Sequence, residues 1–310
     1  MRYSVIIPHY RDFDSLYRLL STIPDRNDVQ VIVVDDNSCD SRESFLEEFG
    51  REWDPDTELY FNPSKRHGAG RCRNVGLKHA KGKWLLFADA DDYFTEDAFL
   101  ILDKYYDSKA DIIYFTPTSV NLPDMTPGVR HKAYAQLISA YIADPGEECM
   151  LRYRQYEPWS KLIRNQTVRD KGIKFDGCRW ANDVMFSIRM ANAAKDIEAK
   201  TETIYCVTRK AGTLTSGTSA HEYRVRFEVY LRQYKFLKGR LDPMKFRKVI
   251  EWPGGKIVRA VAGGYGYPMV RYICERYREQ GIKVRIGDLG SDYIRNSLMQ
   301  LRISINDRHY

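Results

Sequence analysis

The sequence LLFADADDYF, residues 85–94, changes character in its middle. Four apolar residues, typical of a buried strand, run directly into Asp89, Asp91 and Asp92, and two aromatic residues follow. Three carboxylates this close repel one another unless a cation lies among them. The stretch therefore predicts a strand that ends at a cation site.

On both sides of this strand, through the first 115 residues, apolar runs alternate with segments that have helical spacing. Short apolar or β-branched runs predict strands, and apolar residues at helical spacing predict helices between them. The predicted strands are 3–7, 29–34, 58–62, 84–88 and 111–115, and the predicted helices are 14–21, 41–49, 70–80 and 95–106. This alternation is typical of an α/β fold with a mostly parallel, doubly wound sheet, in which ligands bind beyond the carboxyl ends of the strands.

Two predicted strands end in acidic residues. Asp89 and Asp91 form a D-x-D whose hard oxygen atoms suit Mg2+ or Mn2+, ions that take one or two carboxylates plus substrate phosphates. Asp35 and Asp36 follow VIVV in the same way, where a carboxylate could accept from a base N–H or a ribose hydroxyl. A solvated acidic turn and an Asx turn are the ordinary structural alternatives.

The segment HGAGRCRNVGL, residues 67–77, has the glycines and cations of a phosphate-binding loop. It matches neither the P-loop pattern nor the dinucleotide-binding pattern. Arg71 or Arg73 could still contact a phosphate at a helix N-terminus, which favours anions. An exposed basic helix is the alternative for either arginine.

The composition is that of a globular protein of 310 residues, with 43% hydrophobic and 29% charged residues. No stretch approaches the roughly 20 apolar residues of a membrane span, and the first apolar run is too short for a signal peptide. Six cysteines lie scattered without a CxxC pair. They indicate a reducing, cytoplasmic setting rather than a zinc site or a disulfide scaffold.

The net charge of +7 is divided unevenly along the chain. Residues 221–310 contain 19 Lys/Arg against 9 Asp/Glu, whereas residues 1–220 contain 30 against 33. The basic end could bind nucleic acid, an anionic membrane surface or an anionic acceptor, or be a solvated face. Because no nucleic-acid motif is present, we expect a membrane or lipid-linked-acceptor surface and no nucleic acid.

Five segments in one order carry a family resemblance. They are VIIPHYRD, VIVVDDNSCDS, GAGRCRNVGLKHAKGKWLLFADADD, PWSKLI and GIKFDGCRWANDVMFSIRM. Together they resemble the GT-A glycosyltransferases of family 2, the inverting group that builds bacterial capsules, lipopolysaccharides and exopolysaccharides. The resemblance covers residues 1–215 and implies a Rossmann-like, doubly wound mixed sheet. We expect a catalytic domain at 1–215 and a mostly helical, basic region at 216–310.

The resemblance implies a nucleotide-sugar site at the carboxyl edge of the sheet. Its expected members are Pro8, His9, Tyr10, Asp35, Asp36, Arg71, Arg73, Asp89 and Ala90. In this family Asp36 would read the base, typically uracil. Asp91 would be the direct metal ligand, with Asp89 as the second carboxylate, nearer the ribose.

The resemblance also implies a general base, Asp183, in an acidic pair whose first member is usually Glu. This chain has Asn182 there, so one carboxylate of the pair is missing. An ordinary first-turn acid that complements the helix dipole is the alternative for Asp183. Trp159 and Lys161 match a W-x-K segment near the acceptor, although a core tryptophan is an equal interpretation.

These expectations combine into one function. The chain would be an inverting, Mn2+- or Mg2+-dependent enzyme that moves a sugar from a nucleotide donor, typically a UDP-sugar, to a glycan or lipid-linked acceptor. It would act in the cytoplasm, with a peripheral association at the inner face of the membrane. The alternatives are a sugar nucleotidyltransferase, whose Gly-rich N-terminal signature is missing here, and a binding protein without catalysis.

Overall fold

The computed structural model describes residues 1–209 and 219–284. The strands are β1 (Tyr3–His9), β2 (Val29–Asp35), β3 (Glu58–Phe61), β4 (Trp84–Phe87), β5 (Tyr93–Phe94), β6 (Ile112–Phe115), β7 (Thr118–Asn121), β8 (Thr126–Pro127), β9 (Lys161–Arg164), β10 (Ile197–Lys200) and β11 (Tyr205–Arg209). The helices are α1 (Phe13–Leu20), α2 (Arg42–Phe49), α3 (Ala69–His79), α4 (Ala98–Lys104), α5 (Lys132–Ala143), α6 (Glu148–Arg154), α7 (Asn165–Asp170), α8 (Val184–Ala193), α9 (Ala220–Lys238), α10 (Pro243–Val249), α11 (Pro253–Ala262) and α12 (Gly266–Glu279).

A seven-stranded sheet in the order β10-β6-β9-β4-β1-β2-β3 forms the centre of the N-terminal unit. Its strands pair in parallel, except that β9 runs antiparallel between β4 and β6. The five strands and four helices predicted from the sequence are all present, within a few residues of the predicted ends. The mixed α/β fold is therefore confirmed.

Strand β1 continues through Pro8 to His9, two residues beyond the predicted end. The carbonyl of Ile6 accepts a hydrogen bond from the N–H of Ala88, so Ile6 faces β4. Pro8, two residues further along, faces the same side, where β4 has already ended at Phe87. The missing N–H of proline therefore breaks no ladder bond, and the strand reaches the site.

Close packing fixes the helices on the sheet. All seven residues of β1 are buried, and Leu16 and Leu19 of α1 are fully buried in the core beside them. Each buried leucine contributes roughly 2 kcal/mol relative to an exposed one. Helix α3 lies so near β1 that a Cβ on Gly76 would meet Cγ2 of Ile6 at 2.4 Å. This closeness brings the N-terminus of α3 to the carboxyl edge of the sheet.

A second sheet, in the order β5-β11-β7-β8, was not predicted from the sequence. Its strands are short, and β11 pairs antiparallel with β5 and parallel with β7. Helix α5, Lys132–Ala143, was likewise not predicted from the sequence. Both features depend on contacts between distant segments, which periodicity does not reveal.

The chain divides into two compact units, Met1–Ala211 and Gly212–Tyr310. In the described part of the second unit, helices α9 to α12 pack around apolar residues of α9, including Phe227 and Leu237. Nε of Arg276 donates to Glu228 at 2.8 Å and joins α12 to α9. The helical character of this region is thus confirmed. Among residues 1–209 and 219–284, no helix combines the length and apolar character needed to span a membrane.

Candidate active site

The carboxyl ends of three neighbouring strands form the site. His9 at the end of β1 is in register with Asp35 at the end of β2. Strand β4, which leads to Asp89, pairs with the other side of β1. The two acidic strand ends predicted from the sequence therefore meet at one edge of the sheet.

Asp35 is fully buried and held by its neighbours. Nδ1 of His9 donates to Oδ1 of Asp35 at 2.8 Å, and Ser38 donates to both carboxylate oxygens from its hydroxyl and its backbone N–H. Nε2 of His9 is buried and has no hydrogen-bond partner among the described residues. His9 and Asp35 thus support the loop that follows β2.

Asp36 links that loop to the beginning of α3. Its Oδ1 accepts from Nδ2 of Asn62 and its Oδ2 from the backbone N–H of Gly68, each at 2.6 Å. Nδ1 of His67 donates to the Asp36 carbonyl at 2.8 Å. Asp36 is buried, and burial beside this carboxylate raises the pKa of the Cys72 thiol. The role of Asp36 in reading a nucleotide base stays a prediction.

Two arginines of α3 lie at the site in different surroundings. Arg73 is buried and bonds both Asp89 and Oδ1 of Asn182, the latter at 3.0 Å. Arg71 packs against Gly177, where a Cβ would meet its Nη2 at 2.9 Å, and its buried Nε has no partner among the described residues. A guanidinium with unused donors at a helix N-terminus is suited to an anion.

The glycines before and within α3 permit close contact with residues 176–182. A Cβ on Gly70 would meet the carbonyl oxygen of Asp176 at 2.4 Å and Cβ of Asn182 at 2.8 Å. Gly68 has a φ of 150° and lies against Cys178. Two segments of the family resemblance, about 100 residues apart in sequence, are therefore in contact.

The D-x-D turn has an excess of negative charge. Burial, and secondly the Asp89 carboxylate, raise the pKa of Asp91, and no ion pair of the described residues includes Asp91. Asp92, without a predicted role, is 2% exposed and accepts hydrogen bonds from Tyr205 and Thr208 of β11. Asp92 therefore anchors the turn to the second sheet.

The donor atoms of this turn fit a hard divalent cation. Within the described part of the chain, no group of three or more His, Cys, Asp or Glu side chains is placed to bind a metal ion. Mg2+ and Mn2+ at diphosphates use only one or two protein carboxylates. Asp91 and Asp89 supply that number. Asp89 is ion-paired with Arg73, so the carboxylate of Asp91, which has no such pair among the described residues, favours a cation.

Asp183 occupies the N-cap position of α8, immediately before the first helical turn. The side chain of the preceding residue, Asn182, accepts a hydrogen bond from Arg73. Burial raises the pKa of Asp183, and the nearby Arg73 opposes this. A carboxylate with raised proton affinity, bound to no other side chain by a hydrogen bond in the described part of the chain, is suited to accept a proton.

The PWSK segment contributes a polar cluster that the sequence only partly predicted. Trp159 is 1% exposed, between the rings of Tyr134 (5.0 Å) and Tyr205 (5.7 Å), so it packs in the core. Lys161 is buried, and its Nζ donates to the carbonyl of Gln155 at 2.7 Å. Their acceptor-side roles stay predictions.

Glu157 is the residue that sequence reasoning missed. Burial raises its pKa to about 7, and the Asp183 carboxylate adds to this. The Tyr134 hydroxyl donates to its Oε1. Burial lowers the pKa of Lys161, whereas the negative charges of Glu157 and Asp183 raise it. An acidic residue directly before the PWSK segment was the available signal.

Residues with a positive φ mark the loops of the site. The described non-glycine residues with this conformation are Arg11, Asn37, Met125, Ser160 and Ala181. All but Met125 lie within two residues of a predicted site residue. Each costs roughly 1–2 kcal/mol, and such strain is typically concentrated at functional sites.

The remaining predicted residues differ in exposure. Tyr10 is 46% exposed, and its ring lies 5.3 Å from that of His67 at the rim of the site. Pro8 and Ala90 are buried. Tyr10 is therefore the one of the three that presents most of its surface to a ligand.

The mixed sheet, with these acidic residues and arginines at its carboxyl edge, has the GT-A fold of the glycosyltransferase structures with which it superposes. The chain belongs to glycosyl transferase family 2, whose sequence profile matches residues 4–186. Membership of this family sets the nucleotidyltransferase alternative aside.

Two relatives illustrate the sequence similarity. The chain is 26% identical over 225 residues to the poly(ribitol-phosphate) beta-N-acetylglucosaminyltransferase TarS of Staphylococcus aureus, a match covering 68% of this chain and 36% of the relative. It is 31% identical over 104 residues to a poly(ribitol-phosphate) beta-glucosyltransferase of Bacillus spizizenii, covering 32% and 16%. The chain thus spans only 36% of the length of the first of these curated relatives.

Solved structures show the same fold at low identity. S. aureus TarS 1-349 in complex with UDP-GlcNAc superposes with a TM-score of 0.58 at 19% identity, covering 92% of this chain and 93% of that one. The mannosyltransferase PcManGT from Pyrobaculum calidifontis, in complex with GDP-Man and Mn2+, gives 0.54 at 15% identity, covering 100% and 87%.

Proposed function

We propose that this glycosyltransferase moves a sugar, with inversion, from a nucleoside-diphosphate donor to a hydroxyl of a glycan or lipid-linked acceptor in surface-polysaccharide synthesis. A UDP-sugar is the proposed donor, since one structural relative, S. aureus TarS 1-349, was solved with UDP and with UDP-GlcNAc. The observation that supports this most is the pair Asp89 and Asp91 at the end of β4, beside the arginines of α3.

The donor would lie across the carboxyl edge of the sheet. Asp36 and Tyr10 would face the nucleoside, and Asp89 the ribose. Arg71, whose donors are unused in the described residues, would bind the diphosphate. Arg73 would hold Asp89 in place through their ion pair.

Asp91 and Asp89 would hold a Mn2+ or Mg2+ ion. Such an ion supplies positive charge against the negative charge that develops on the leaving diphosphate. The buried guanidinium of Arg73 and the α3 N-terminus act in the same direction. Among the structural relatives, the mannosyltransferase was solved with Mn2+.

Asp183 would act as the general base. It takes the proton of the attacking hydroxyl while that oxygen forms a bond to the anomeric carbon. The bond from this carbon to the diphosphate oxygen breaks, and its electron pair leaves with the nucleoside diphosphate. Attack opposite the leaving group inverts the anomeric centre, so no protein nucleophile is needed.

The acceptor is proposed from the relatives' names and from charge. Two relatives act on poly(ribitol phosphate), as named, so a phosphate-rich chain of alditols is the first acceptor to test. We assign catalysis to residues 1–215 and contact with an anionic acceptor or an anionic membrane surface to the basic residues 216–310. We expect a cytoplasmic protein, and the second unit exposes the apolar side chain of Val261 and the ring of Tyr267.

A panel of nucleotide-sugars tests the donor. The protein is heated with each UDP-, GDP-, ADP- or CMP-sugar, with Mn2+ or with a chelator. Binding at a hundredfold excess over Kd contributes about 2.7 kcal/mol, which raises Tm by roughly 5–10 °C. We expect this for a UDP-sugar with Mn2+ only.

Turnover tests the reaction. With the stabilising donor, addition of poly(ribitol phosphate) is expected to increase UDP release and to attach the sugar with inverted configuration. Retention of configuration, or stabilisation that is the same in the chelator, would contradict the proposal. Sedimentation with phosphatidylglycerol vesicles, compared with phosphatidylcholine vesicles, tests the membrane surface.

A further inference from the structure

Glu157 is a half-buried acid with one unused carboxylate oxygen. It lies between α6 and β9, and its Oε1 accepts from the hydroxyl of Tyr134 in α5. Oε2 is buried and accepts no hydrogen bond from the described residues. A buried carboxylate oxygen without a partner is costly, so it is expected where a ligand supplies the missing donor.

Glu157 lies beside the first turn of α8. The hydroxyl of Ser187, one turn after Asp183, donates to the carbonyl of Tyr156, the residue before Glu157. This bond ties the segment that carries Glu157 to the helix that begins at Asp183. Of the charges near Glu157, that of Asp183 has the largest influence on its pKa.

The position before Asp183, where the family usually has Glu, supplies no carboxylate in this chain. Asn182 is neutral and turns its Oδ1 to Arg73 at 3.0 Å. The second carboxylate near Asp183 therefore comes from another part of the chain. The negative charge of Asp183 raises the pKa of Glu157, as a neighbouring like charge does for a carboxyl group.

We propose that Glu157 is the second proton-accepting carboxylate of the base site and that it acts with Asp183 on the acceptor hydroxyl. The proposal rests on the proposed function. The hydroxyl proton passes to this carboxylate pair as the new C–O bond forms, and it leaves to water after the product departs. Tyr134 and Trp159 hold Glu157 in place.

The groups around the pair determine its proton affinity. They are Lys161 of β9, Tyr134 of α5, Arg73 of α3, and Asp89 after β4. The positive charge of Lys161 lowers the pKa of both carboxylates. The negative charge of Asp183 raises the pKa of Glu157, and the same repulsion makes Asp183 a stronger base. Removing Glu157 should therefore weaken Asp183 as a base and move its titration to lower pH.

The test compares Glu157→Gln with the wild type, with UDP-GlcNAc or the donor from the panel and with water or poly(ribitol phosphate) as acceptor. We expect kcat to fall about 10- to 100-fold with an unchanged donor KM. We also expect the acid limb of the kcat–pH profile to move to lower pH. Glu157→Asp keeps the carboxylate and should recover part of the rate. Glu47→Gln changes an exposed glutamate of α2 and is the matched control.

The outcomes separate the two proposals. A wild type that releases no nucleotide from any donor overturns the proposed function and this inference with it. An active wild type with an equally active Glu157→Gln variant overturns this inference alone. A lower rate with an unmoved acid limb also overturns it, because a purely structural role would lower kcat equally at all pH values. Calorimetric donor binding shows whether each variant is folded.

Discussion

Tyr205 binds Asp92 through its hydroxyl, which donates to the Oδ2 atom at 3.0 Å. The same hydroxyl accepts the backbone N–H of Asp89 at 2.8 Å. One side chain of β11 therefore holds both ends of the D-x-D turn. Since burial and the two neighbouring aspartates raise the pKa of Asp92, these bonds also stabilise an acid in an unfavourable place.

Tyr205→Phe is expected to lower the free energy of unfolding by about 1–3 kcal/mol, because Asp92 and the Asp89 N–H both lose a buried partner. Chemical denaturation measures this. Tyr267→Phe, at a tyrosine that is 75% exposed, is the control and should change little. Equal effects of the two substitutions would contradict the anchoring role of Tyr205.

Asp91→Asn is expected to abolish Mn2+-dependent donor binding, lowering affinity at least about 100-fold, since even residues behind a metal ligand contribute 10- to 100-fold. Calorimetry with and without Mn2+ measures the change. Asp107→Asn alters a side chain that is 92% exposed and serves as the control. Unchanged affinity would remove Asp91 as a metal ligand.

Asp183→Asn is expected to keep donor binding and to lower kcat by roughly 10²- to 10⁴-fold, the usual contribution of a general base. UDP release and calorimetry on the same preparation separate the two effects. Asp196→Asn, an exposed aspartate, is the control. A rate near that of the wild type would show that another group takes the proton.

Glu157 should make stability depend on pH. Its pKa is raised from the ordinary value of 4.5 to about 7 in the folded state, so the folded state binds more protons between these values. The contribution of this carboxyl group to the free energy of unfolding is fully present below about pH 4.5 and is lost as pH rises to about 7. Glu157→Gln should therefore gain stability relative to the wild type across this range, as urea denaturation at several pH values would measure. A constant difference would contradict the raised pKa.

Gly70→Ala is expected to lower stability by about 1–3 kcal/mol, because the new Cβ would meet the Asp176 carbonyl at 2.4 Å and no flexible atom can yield. Donor affinity should fall with it, since α3 carries both arginines. Gly239→Ala is the control, as its Cβ would meet only the Lys235 carbonyl, at 3.9 Å. Wild-type stability in Gly70→Ala would contradict the tight contact.

The sequence was sufficient for the parallel part of the sheet. Buried strands with short helices between them have one favourable arrangement, and it brings residues such as Asp36 and Asp89 to the same edge. The family resemblance then indicated Asp183, which the local pattern alone would leave as an ordinary first-turn acid that complements the helix dipole.

The other elements of the site depend on distant pairings. Strand β9 enters the sheet antiparallel between β4 and β6, and this places Lys161 and Glu157 beside α8. Tyr205 reaches the D-x-D turn only through the second sheet, whose strands are too short for a clear period of two. The hydrogen bond from Arg73 to Asn182 joins residues more than 100 positions apart, which no local sequence pattern reveals.

The D-x-D turn leaves the sheet at Ala88, so the amide of Asp89 has no ladder partner and depends on the Tyr205 hydroxyl. The exchange of this amide proton with water therefore reports the opening of one identifiable bond, whereas amides of β4 report the opening of the sheet. A ligand that orders the turn would slow this single exchange rate. The site thus contains a local probe of its own occupancy that needs no introduced label.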